Sequence, residues 1–216
     1  MSTPREQLLQ VLAEKSFHLG EFKLSSGVTS DYYIDCRTTT LSGEGSRLVA
    51  RAFYEEIYNS GEKPEAVGGL TLGADPIVTA IAMLSAQRIQ GRAADRPGAI
   101  GEHFMLDGFL VRKAEKTHGT QQRIEGFHKK GAKVFIVDDV CTTGASTVEA
   151  INASREFGFQ VVGVLCLVER EEAGGRPNVE KAANAPFVSI FTAAQVREEH
   201  LRIKRHEEDP LSALRG

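Results

Sequence analysis

The segment Val134 to Ser146, VFIVDDVCTTGAS, constrains this chain more than any other part of it. Val134, Phe135, Ile136 and Val137 form a continuous apolar run rich in β-branched residues, the pattern of a parallel strand covered on both faces. Asp138 and Asp139 stand at its carboxyl end, Thr142, Thr143, Gly144, Ala145 and Ser146 follow, and a helix-like pattern through Val148, Ile151 and Phe157 comes next. The order strand, loop, helix predicts an α/β protein whose ligand sits outside the carboxyl ends of the strands. Free N–H groups at a helix start attract phosphate, so Thr142 to Ser146 is the expected cradle. Ionised carboxylates only accept hydrogen bonds; Asp138 and Asp139 therefore suit sugar hydroxyls, directly or through a divalent metal, and repel bare phosphate. The string is neither G-x-x-x-x-G-K-[ST] nor G-x-G-x-x-G, which excludes the two commonest nucleotide loops. A single Asp here would serve equally well to cap a loop, and Gly144 to turn it; the whole string points to a ribose phosphate.

Size and charge narrow the class. A chain of 216 residues fits one domain of generous size, 1–216, with enough core to need no disulfide staple. Cys36, Cys141 and Cys166 lie far apart with no C-x-x-C pair, as reduced thiols in a cytoplasmic protein do. Cys141 lies inside the motif, either as a small apolar filler or as an oxidation-sensitive thiol. The amino terminus lacks a basic region followed by an apolar one, and no window approaches the roughly 18 apolar residues of a membrane span, so no membrane partner is expected. A formal net charge of -3 gives no electrostatic footprint for nucleic acid.

Along the chain, Thr3, Pro4 and Glu6 have capping-box spacing ahead of a helix that ends near Lys15. GEFKLSSGVTSDYYIDCR then reads as two short strands forming a flap. A helix from about Gly45 to Asn59, capped by Ser42, precedes a strand at Ala66 to Leu70, the loop TLGADP, and a helix with Asp75 as N-cap and Pro76 in its first position. Phe109 to Arg112, Lys133 to Val137, Gln160 to Val168 and Phe187 to Phe191 complete a mainly parallel sheet flanked by helices. Gln90 to Gly101 reads as a surface insertion.

Between two strands, LVRKAEKTHG packs Arg112, Lys113, Lys116 and His118 into seven residues. As a solvated loop such a run is cheap, because water and salt screen the repulsion. Beside a diphosphate leaving group it has a second use: a cationic loop that closes as the bond breaks stabilises charge where it develops and excludes water. Lys116 is the first choice for that task.

VFIVDDVCTTGAS closely resembles the phosphoribosyl diphosphate (PRPP) motif of type I phosphoribosyltransferases, and R-K-x-x-K-x-H-G resembles the catalytic loop of the orotate phosphoribosyltransferases. The resemblance spans roughly Leu8 to Val196 and implies the type I fold, with a small hood drawn mainly from residues 1–40 and a candidate contribution from the C-terminal segment. It implies transfer of the phosphoribosyl group from PRPP to orotate, with Mg2+ carried mainly by PRPP and Asp138 or Asp139 as candidate protein ligands. Asp138 and Asp139 would hold the ribose hydroxyls, and the stretch Val140, Cys141, Thr142, Thr143, Gly144, Ala145, Ser146 the 5-phosphate side of PRPP. Arg112, Lys113, Lys116 and His118 would contact the diphosphate, Lys116 and His118 with the acid pair being catalytic. The same resemblance implies a homodimer that shares this loop between subunits.

Two further stretches agree. Gly20, Phe22, Leu24, Ser26 and Gly27 match the G-x-F-x-L-x-S-G core of the family's hood, and Arg170 matches the arginine that, with the threonine at Thr142, holds orotate. A guanidinium can grip a carboxylate at two points; alone, Arg170 would equally make a surface ion pair. Two family lysines are absent: K-S-G becomes Ser25, Ser26, Gly27, and Y-K-G becomes Leu72, Gly73, Ala74. Lys23 is a shifted candidate for the first, and the backbone of Thr71 to Ala74 for the second. The alternatives are a transferase for another base, a noncatalytic PRPP sensor of the same fold, or an unrelated sugar-phosphate module.

Overall fold

The computed structural model describes residues 2–23, 29–95, 104–113 and 123–208, with the backbone alone for 91–95. The chain opens with α1 (Pro4–Lys15), whose capping box is complete: Thr3 Oγ1 accepts from Glu6 N, and Glu6 answers to Thr3 N at 2.7 Å. The expected flap follows as β1 (Phe17–Lys23) and β2 (Thr29–Ile34), an antiparallel pair. Next come the short α2 (Arg37–Thr40) and α3 (Gly43–Asn59), where Ser42 Oγ caps Gly45 N at 3.2 Å as expected.

The body alternates strand and helix: β3 (Ala66–Leu70), α4 (Asp75–Asp95), β4 (Asp107–Val111), β5 (Ile124–Gly126), β6 (Lys133–Cys141), α5 (Ala145–Phe157), β7 (Gln160–Glu169), α6 (Arg176–Ala183), β8 (Phe187–Thr192) and α7 (Ala193–Glu208). Six strands form one sheet in the order β5-β4-β3-β6-β7-β8, parallel except where β5 returns antiparallel to β4. From β3 the chain moves outward to β4, then returns to lay β6 on the other side of β3. That reversal opens a crevice between the carboxyl ends of β3 and β6, where open α/β sheets bind ligands.

Both faces of the sheet are covered, which is why β6 reads as unbroken apolar sequence. Phe135 and Val137 join a core with Leu8 and Leu12 of α1, Phe53 of α3, Ile77 of α4 and Val196 of α7. Val134 and Ile136 face the opposite way, onto Ile151 of α5, Val179 of α6 and Phe109.

Three expectations need correction. β6 runs on through Cys141, because its pairing with β7 continues to Cys141 opposite Glu169, so the two carboxylates lie within the strand. Asp75 is the first residue of α4 and its Oδ2 accepts from the Thr71 hydroxyl at 2.7 Å, where a cap would take a backbone N–H. The helix α4 continues to Asp95, so the stretch from residue 90 begins as helix; 96–101 lie outside the described residues.

Candidate active site

The crevice is a cleft of about 1120 Å3. Its floor is the end of β6 with Asp138, Asp139 and Val140; Thr142, Thr143 and Ser146 form one wall, Leu70 to Gly73 the wall opposite, and Arg112 and Lys113 lie at the end of β4. Arg170, just beyond β7, also lines it, so Thr142 and Arg170 share one cavity. Phe22, Lys23, Tyr33 and Ile34 of the β1–β2 flap also line it, with Asp35 and Arg37 beside them.

Other expected residues lie elsewhere. The Cys141 side chain is buried with Ile151 and Val179, away from the cleft. Ala145 lines a separate shallow groove with Val148 and Lys181. Gly144 acts through its backbone: it holds a φ of 78° at the N-cap of α5, and a Cβ there would stand 2.7 Å from Val179. Lys116 and His118 lie outside the described residues, as do Leu24, Ser25, Ser26 and Gly27.

The acid pair is tightly held. Asp138 is 5% exposed, its Oδ1 accepting from Asp139 N at 3.0 Å and its Oδ2 from Thr147 Oγ1 at 2.6 Å. Burial, then the neighbouring Asp139 charge, push the Asp138 carboxyl up to about 7, against the pull of Thr147. Asp139 Oδ1 accepts from Val140 N at 2.8 Å; burial raises its pKa too, and Arg37 works in the other direction. Among the described residues no group of three or more His, Cys, Asp and Glu side chains is arranged to hold a metal. Two carboxylates at the floor of an open cleft do fit a hard divalent cation that keeps waters and substrate oxygens as its other ligands.

Arg170 is 7% exposed, and its backbone N–H binds Cys141 O at 2.8 Å, tying the ends of β6 and β7 together. Its side chain reaches the hood: Nε donates to Tyr32 Oη and to Glu172 Oε1, both at 3.0 Å, and Nη2 to Ser30 Oγ at 3.2 Å. Sequence reading missed Ser30, Tyr32, Asp35, Arg37, Thr147 and Glu172. The alternation of β2 and the position of Glu172 two residues after Arg170 were the available signals; no spacing rule announces the hood contact. Arg37 is gripped by Asp35 at 2.8 Å through both Nε and Nη2.

A family profile described as "Phosphoribosyl transferase domain" matches residues 44–192. The orotate phosphoribosyltransferase of Aquifex aeolicus is 39% identical over 195 residues, covering 89% of this chain and 97% of that protein. The orotate phosphoribosyltransferase of Streptomyces avermitilis is 41% identical over 87% of this chain and 93% of its own length. Among solved structures, the Mycobacterium tuberculosis orotate phosphoribosyltransferase in complex with PRPP superposes with a TM-score of 0.67 at 31% identity, covering 90% of this chain and 99% of that one. Its complex with Fe(III) dicitrate gives 0.70 at 34% identity, with coverage of 90% and 99%.

Proposed function

We propose a function from the premise that this chain belongs to the phosphoribosyltransferase family, among its orotate phosphoribosyltransferases. The protein transfers the 5-phosphoribosyl group of PRPP to orotate, giving orotidine 5-phosphate and pyrophosphate in pyrimidine synthesis. One observation carries the site assignment: Asp138, Asp139, Thr142, Thr143, Ser146 and Arg170 meet in a single cleft at the sheet's switch point.

In the reaction the bond from the anomeric carbon to the diphosphate breaks as N1 of orotate, its proton lost, forms the new bond. No protein nucleophile is required; holding both reactants in line supplies much of the rate. Asp138 and Asp139 orient the ribose hydroxyls and offset positive charge on the ring, and the start of α5 binds the 5-phosphate. Arg112, Lys113, Lys116 and His118 gather about the diphosphate, and Arg170 with Thr142 holds the base. Asp138 or Asp139 would be the protein ligand of Mg2+ carried mainly by PRPP, and the ion would supply charge neutralisation on the leaving diphosphate.

The working unit is a homodimer that shares the basic loop, in the cytoplasm. No helix among the described residues is long and apolar enough to cross a membrane. The chain is one phosphoribosyltransferase domain, 1–216, with a hood; the ion pair of Asp31 with Arg197 at 2.7 Å supports a share for α7 in that hood.

The test is to incubate the protein with PRPP and Mg2+, add orotate, uracil, adenine or hypoxanthine separately, and measure pyrophosphate. Release with orotate alone is expected. Release with another base in its place would reassign the acceptor, and no release with any base would sink the enzyme reading.

A further inference from the structure

A guanidinium presents two edges that can each grip a planar anion: one formed by Nε–H and Nη2–H, the other by Nη1–H and the second Nη2–H. In Arg170 the first edge is fully used, by Tyr32 Oη, Glu172 Oε1 and Ser30 Oγ. Among the described residues Nη1 has no partner. The side chain borders the cleft, so the second edge is the one left for a ligand.

The three partners also fix the plane of the group. The guanidinium carbon lies 4.4 Å from the centroid of the Tyr32 ring, and that ring stacks on Phe17 at 5.2 Å with an interplanar angle of 15°. Tyr32 in turn donates its hydroxyl to Glu172. Glu172 sits in a sequence position that brings it back onto Arg170, and its side chain is 54% exposed, so it balances a buried cation while staying hydrated itself. Ring, carboxylate and Ser30 hydroxyl together leave the guanidinium little freedom to turn.

We propose that Tyr32 and Glu172 are positioning residues that hold Arg170 with its free edge toward the cleft, and so give the site its preference for a base bearing a carboxylate. The inference rests on the orotate reading above and adds to it the residues that set base selectivity. Arg170 by itself supplies charge; its two partners supply direction. A base without a carboxylate, such as uracil, gains nothing from that direction.

The test uses Tyr32→Phe, which keeps the ring and removes the hydroxyl, and Glu172→Gln, which keeps the shape and removes the charge. Both should raise the KM for orotate about 10-fold, the loss of one or two oriented hydrogen bonds, and leave the Kd for Mg-PRPP within about twofold. Both should also narrow the ratio of kcat/KM between orotate and uracil by a similar factor. Tyr32→Leu, which deletes the ring as well, serves as the fold control through its melting temperature. Variants that keep the wild-type ratio, or that lose PRPP and orotate affinity together, would overturn the inference while leaving the orotate reading intact. A wild-type protein with no preference for orotate over uracil would overturn that reading, and this one with it.

Discussion

Thr147, on the first turn of α5, donates its hydroxyl to Asp138 Oδ2 across 2.6 Å, with both side chains buried. The contact joins the helix proposed to cradle phosphate to the carboxylate proposed to face the sugar, so the two halves of the proposed ribose phosphate site have one fixed separation.

Replacing Thr147 by Val keeps the shape and leaves one buried carboxylate oxygen without its donor. An unsatisfied buried acceptor costs about 1–3 kcal/mol, and for a chain of this size each kcal/mol lowers Tm by roughly 2–4 °C. The KM for PRPP should rise about 10-fold with a smaller change in that for orotate, and Thr147→Ser should restore both the melting temperature and the KM. Steady-state kinetics beside calorimetry on the two variants decides this; a Ser variant as impaired as the Val variant would show that the hydroxyl is not what matters.

The buried acid pair also sets a trade between stability and function. In the folded chain Asp138 keeps its proton up to about 7, whereas in the unfolded chain a typical Asp loses it near 3.9. Between those values the folded state binds the extra proton, so this group's contribution to stability falls as pH rises through the window and is flat above it. Asp138→Asn removes that slope. The variant should be more stable than the wild type at pH 8, with the gap narrowing toward pH 5, and its turnover should fall at least 100-fold. Thermal unfolding across that range checks the sign; a gap that widens on acidification would be fatal to it.

Much of the fold could be read from particular residues because their physics is local. The Thr3–Glu6 capping box, the Ser42 cap and the two-faced apolar run of β6 each specify their element without distant partners. What escaped depends on pairing. β5 is three residues long and exists by hydrogen bonding to β4, and Asp138 and Asp139 became strand because β7 continues beside them. α6 and α7 carry mostly polar sequence, and only a few residues such as Val179 and Val196 enter the core. At the site, Asp138, Asp139, Val140, Thr142, Thr143 and Ser146 of the motif line the cleft, whereas Cys141, Gly144 and Ala145 do not. The Arg170 partners on β2 lie some 140 positions away in the chain, a separation that no spacing rule reads.

The three cysteines should be inert in the native protein. All are buried, and burial raises each thiol's pKa, that of Cys141 to about 11. Because the thiolate is the reactive form, a thiol reagent at pH 8 should label none of them before unfolding and all three after it. Rapid native labelling of Cys141 would restore it as a redox-sensitive position.

The loop after β3 explains why one family lysine cannot simply be put back. A Cβ at Gly73 would stand 2.5 Å from Asp139 Oδ1 and 2.9 Å from its Cγ. That oxygen is not free to swing away, since it accepts from Val140 N at 2.8 Å. Gly73→Ala must therefore displace the Asp139 carboxylate, and Gly73→Lys must do the same before its ammonium reaches anything. Both variants should weaken Mg-PRPP binding about 10-fold or more, measured by calorimetry, with the added lysine giving no advantage over alanine. A double-mutant cycle isolates the cause: in an Asp139→Ala background the clash is gone, and Gly73→Ala should change PRPP affinity by less than about twofold. Losses that simply add in the double variant would mean that Gly73 acts through the loop backbone and not through Asp139.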